Sequence, residues 1–129
     1  MPKLYSYYFE EIGFKFSFSK ADGADFPRWT EAEDFPPLPP RAAIAASRLA
    51  LIEMLNTYPI GEPGFDACAL KQTSDYEGGW WYYDISWFVS SPECDGSDRS
   101  QIRVPIMLNG RCPPYEVFKF EDRHNVWKS

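Results

Sequence analysis

Histidine is nearly absent from this chain of 129 residues: the one copy, His124, stands close to the C-terminus. A nucleophile that relies on a histidine base needs the ring held by a third group within hydrogen-bond reach, and a tail position does not supply that. Cysteine is scarce too. Cys68, Cys94 and Cys112 are odd in number and widely spaced, without the paired short spacing of a zinc site. Cys94 and Cys112 flank an extended segment whose ends lie roughly 26 Å apart, too far for a disulfide. Free thiols in a reducing compartment are therefore expected. No stretch approaches 18 apolar residues, and Met1 to Glu10 has one lysine and no apolar signal core, so neither export nor a membrane span is expected.

A phosphate-binding glycine loop is missing as well, since Gly78-Gly79 precedes a strand pattern rather than a helix. Asp95-Gly96-Ser97-Asp98 lacks the ligand number and closing glutamate of a calcium loop. Basic charge is in deficit: 13 Lys and Arg face 19 Asp and Glu, for a net charge of −6. Such a surface repels phosphate backbones and anionic lipid, so no nucleic-acid or membrane partner is expected. Taken together, these absences predict a cytoplasmic protein that is not an enzyme and carries no cofactor or metal.

What the chain does have is aromatic mass. Aromatics make up 18 % of the residues within a 44 % apolar total, enough for the core of a single domain over 1–129. Residues 1–19 read as an N-terminal aromatic strand or hairpin, with Phe14, Phe16 and Phe18 alternating with Lys15, Ser17 and Ser19. Residues 20–40 hold five prolines and five acids without periodicity, the mark of an irregular, acidic, proline-rich loop. Residues 41–57 form the one clear helix. At 100° per residue, Ala42, Ile44, Ala45, Leu49, Leu51, Ile52 and Leu55 share an arc, predicting that side as the buried one, with Arg48 paired inside it. The opposite side carries little charge and calls for a cover of its own.

Residues 65–120 read as an antiparallel sheet. The strongest strand, Trp80 to Ser91, alternates Trp81, Tyr83, Ile85, Trp87 and Val89 with Trp80, Tyr82, Asp84, Ser86 and Phe88. In the strand Gln101 to Leu108, Pro105 removes a ladder donor, which predicts an edge or bulged strand. Asn109-Gly110 is a hairpin signal leading to a last strand near Tyr115 to Phe120. Residues 121–129 are a tail. Short turns between successive strands predict an α+β fold, one main helix packed on a four- to five-stranded antiparallel meander.

The helix, the run Trp81-Tyr82-Tyr83-Asp84-Ile85 and the run Val104-Pro105-Ile106-Met107-Leu108-Asn109-Gly110 resemble small bacterial cystatin-like proteins, in which one helix wraps on a meander. Small acidic proteins of this look include immunity proteins that neutralise bacterial toxins. The resemblance implies a role and no site residues.

Two features are candidate binding sites. One is the open sheet face, with Trp80, Tyr82 and Phe88 around Asp84 and Arg103, an aromatic patch rimmed by charge. The N-terminal segment or the proline-rich loop can equally cover that face as a second core layer. The other is the acidic loop, where Asp22, Asp25, Glu31, Glu33 and Asp34 surround Phe26 and Trp29, a composition suited to a basic cleft or to a solvated connection. The reading that follows is a non-enzymatic protein-binding module, an inhibitor of a basic protein such as a bacterial toxin. The alternative is a small-molecule-binding protein or enzyme with Asp84 as acid or base, its pKa raised by an apolar cup. A third reading is a homodimer that buries the open face.

Overall fold

The computed structural model describes residues 3–9, 12–17, 29, 34–58, 60–73, 81–90 and 99–119. Their elements are β1 (Lys3–Tyr8), β2 (Ile12–Ser17), α1 (Pro40–Met54), β3 (Gly64–Gln72), β4 (Trp81–Val89), β5 (Ser100–Met107) and β6 (Tyr115–Lys119). The fold is α+β, with one helix and two three-stranded antiparallel sheets among the described residues. No helix there is long and apolar enough to cross a membrane.

The N-terminal aromatics form a hairpin, as their alternation predicts. Leu4 pairs with Phe16 and Tyr8 with Ile12, and all four side chains enter the core. The meander, in contrast, divides. β3, β4 and β5 form one sheet in sequence order, but β6 leaves it to pair with β2, giving the order β1-β2-β6. The Asn109-Gly110 turn itself forms: Gly110 takes a φ of 86°, its N–H donates to Met107 O over 2.9 Å, and Met107 N donates to Arg111 O over 2.9 Å. Beyond it, Pro113 and Pro114 have no N–H to give to β5. Pro114 still offers its carbonyl, which accepts from Ser17 N at 3.0 Å and starts the pairing with β2.

β5 lies at the edge of its sheet, as Pro105 predicts. That edge is closed by hydroxyls rather than by a ladder. Ser6 Oγ accepts from Arg103 N at 2.8 Å. Ser100 Oγ accepts from Phe9 N and donates to Tyr7 O, each at 2.9 Å. Two serines thus stitch β1 against β5 and satisfy backbone groups that would otherwise be orphaned.

α1 starts with Pro40 in its first turn, where a missing N–H costs nothing. Its buried residues are Ala43, Ser47, Leu51 and Met54. The expected face is therefore rotated by roughly a third of a turn: Leu49 is 69 % exposed and Ile52 41 %. Fit explains the choice. Small Ala43 and Ser47 let the helix lie close to an aromatic sheet, and Ser47 Oγ accepts from the buried Trp87 indole at 2.9 Å while donating to Ile44 O at 2.7 Å. Leucine or isoleucine at position 47 would leave that indole N–H without a partner. Arg48 is correspondingly half-exposed and lies 3.5 Å from the exposed Glu62, an arrangement worth little to stability. Tyr83, Ile85, Trp87 and Val89 do face inward, as their alternation predicts, and the Tyr83 hydroxyl donates to Leu38 O at 2.6 Å.

Candidate interaction surface

The far side of the β3-β4-β5 sheet is built from cross-strand rows. Lys71, Tyr82 and Met107 form one row, Ala69, Asp84 and Pro105 the next, and Ala67, Ser86 and Arg103 the third. Asp84 is flanked by two short side chains, so the long cations from the neighbouring rows fold over it. Lys71 Nζ lies 2.7 Å from Asp84 Oδ2. Arg103 donates from Nε to both carboxylate oxygens at 3.2 Å and from Nη2 to Oδ2. The carboxylate is buried beneath two half-exposed cations.

This geometry decides the charge state of Asp84. Burial pushes its pKa up, but the hydrogen bonds and charges of Arg103 and Lys71 outweigh burial and hold it below the ordinary carboxylate range. An acid or base in an apolar cup needs the opposite shift, so the proton-transfer role anticipated for Asp84 lacks its physical basis. Asp84 is a fixed anion that locks three strands together.

A second cluster lies beside it. The register shift between Phe65 and Ala67 turns Asp66 toward this face, where its Oδ2 accepts from Ser86 Oγ and Gln101 Nε2, both at 2.9 Å. Arg99 stacks over the Phe88 ring at 4.7 Å. Tyr82 and Phe88 are both half-buried, and six residues of strand separate them by about 20 Å. The face is therefore a polar band between two aromatic ends, and not the contiguous aromatic patch its composition suggests.

The edge strand β3 is the more exposed feature. Over nine residues only Cys68 and Leu70 are partly covered, and Phe65 is half-exposed. Among the described residues β3 pairs with β4 alone. It carries no proline. Its lysine and its aspartate are drawn onto the sheet face by Asp84 and by Ser86 with Gln101, away from the edge they would otherwise guard.

Of the residues singled out from the sequence, Tyr82, Asp84, Phe88 and Arg103 share this face, and Asp34 is exposed elsewhere. Trp29 packs edge-to-face on Trp81 at 4.7 Å, so the protein's own sheet holds the ring expected to anchor a partner. Asp22, Asp25, Phe26, Glu31, Glu33 and Trp80 lie outside the described residues, as do Cys94, the loop Asp95 to Asp98 and His124. Sequence reasoning missed Lys71, Asp66 and Gln101. Only the β3–β4 register brings Lys71 diagonally to Asp84, and only a bulge frees Asp66. Cys68 and Cys112 are free thiols. No group of three or more potential metal ligands is clustered among the described residues. No family model matches this chain, and neither a curated protein nor a solved structure matches it.

Proposed function

We propose that this chain is a non-enzymatic protein-binding module that takes up an extended segment of its partner along β3. The observation that carries the reading is the asymmetry of one sheet: serines close the β5 edge against β1, while among the described residues β3 has no strand neighbour but β4. Long, unguarded edge strands expose a row of backbone donors and acceptors, and strand addition is the ordinary way to satisfy them. In its narrower form the proposal is inhibition of a basic protein such as a bacterial toxin, in the cytoplasm. A net charge of −6 suits that partner by steering encounter.

Neighbouring residues of a strand point their N–H groups to opposite sides, so proline at Cys68 or at Ala69 removes one edge donor and one β3–β4 ladder donor. Melting curves identify the variant that keeps native stability, and that is the edge variant. Tagged wild type and edge variant are then used to capture partners from a lysate of the native organism, with hydrogen exchange on the recovered complex. Strand addition requires that the edge variant lose the partner and that β3 amides gain protection in the wild-type complex. A partner bound equally by both, with β3 exchange unchanged, overturns the reading.

A further inference from the structure

A concavity of ligand size lies between the C-terminal end of α1 and the sheet β1-β2-β6. Its volume is about 700 Å³, within the range of small-molecule sites. Met54, Tyr58, Tyr115 and Val117 supply its apolar walls, and Glu53 and Lys119 its charges. The aromatic walls are held from behind. Tyr58 leans on buried Tyr8 at 5.2 Å, and Tyr115 on buried Phe14 and Phe16 at 5.9 and 5.5 Å. Phe118, the next residue along β6 from Val117, turns to the opposite face of the sheet, where it lies over Gly13 and meets Tyr7 edge-on at 6.2 Å. Walls fixed in this way need no ordering when a ligand arrives.

The two charges of the cleft are not paired with each other. Glu53 occupies the last turn of α1, where the helix dipole is already negative, and that turn contains no basic residue. Among the described residues Glu53 makes no ion pair, with Lys119 or with any other cation. A glutamate there is unfavourable for the helix, and a cation in the cleft would reverse the sign of that interaction. The negative field reaches neighbouring groups: burial first, and Glu53 after it, pushes the Cys112 thiol up to about 12 and raises Tyr115.

We propose that this cleft binds a small organic amine in its protonated form, with the apolar body against Tyr58, Tyr115 and Val117 and the ammonium paired with Glu53. Aromatic faces and a carboxylate at a helix C-terminus attract a cation together. The site shares no residue with β3 or with the polar face of its sheet, so it stands or falls separately from the partner-binding reading.

The test is amide NMR of the full chain titrated with phenethylammonium and, separately, with phenylacetate, which keeps the ring and reverses the charge. Phenethylammonium should give saturable shifts at Tyr58, Tyr115 and Val117, with a dissociation constant on the order of 1 mM or tighter. Phenylacetate should bind about tenfold more weakly or not at all. Glu53→Gln, at an exposed position, should retain the native spectrum and weaken phenethylammonium by about tenfold, one charge-assisted contact being removed. Three results would overturn the proposal: no saturable shifts below about 10 mM, equal binding of both probes, or an undiminished affinity in Glu53→Gln.

Discussion

Replacing Asp84 with asparagine tests whether the ion cluster on the sheet face is a structural lock. In the native protein the carboxylate is almost wholly buried and accepts from Lys71 and Arg103, while both cations stay half in water. Breaking a fully buried pair costs about 3–5 kcal/mol, because a charge is stranded away from solvent. Here the stranded groups would be the two cations, which can turn outward, so most of that penalty is relieved. What remains is the loss of charge-assisted hydrogen bonds at about 1.5–3 kcal/mol, less the desolvation that the neutral amide avoids. Asp84→Asn should therefore cost about 2 kcal/mol at pH 7, a fall in melting temperature of about 6–10 °C for a chain of this size. Acidity supplies the control. The folded pKa lies below the unfolded one, so this contribution is fully present above the ordinary carboxylate range and is lost as pH falls through the folded value. Chemical denaturation of both proteins at pH 7, and at steps down to pH 2.5, should show a gap that narrows as the wild-type carboxylate is protonated. Equal stability at pH 7, or a gap that does not narrow in acid, would refute the assignment of Asp84 as a buried, permanently charged tie.

Ser47→Ala should destabilise by about 1–3 kcal/mol in urea denaturation, since it leaves the buried Trp87 indole N–H without an acceptor. Gly13→Ala places a methyl group 2.6 Å from Phe118 Cε2, well inside contact distance. Ejecting that ring should cost about 1–3 kcal/mol and shift the Phe118 and Tyr7 ring resonances together. In native protein at pH 8, Cys112 should react with a maleimide more slowly than Cys68, because burial keeps the Cys112 thiol protonated up to about 12. The same raised pKa predicts declining stability as pH climbs from about 9 toward 12, where the unfolded thiol ionises and the folded one does not. A Cys112→Ser variant should lose that part of the alkaline slope.

Local alternation was enough to read part of this protein from its sequence. The N-terminal aromatic hairpin, the inward set Tyr83, Ile85, Trp87 and Val89, the edge position of β5 and the turn at Gly110 follow from side-chain period, the missing proline donor and the freedom of glycine at positive φ. These are properties of a few consecutive residues. The buried side of α1 was not legible, because a helix with apolar residues nearly all round carries no stripe to orient it; the indole of Trp87 selected Ser47, and only their meeting in space shows it. Nor was the transfer of β6 to β2, where Pro114 finds Ser17 across about three-quarters of the chain. The character of Asp84 turned in the same way on distant groups. Its sequence neighbours suggested an apolar cup, and the diagonal reach of Lys71 and Arg103 made it an anion. Period and turn chemistry act within one element and are written in the sequence. Which faces meet, which edge stays open and which charges are paired depend on contacts between elements, and those exist only once the chain has folded.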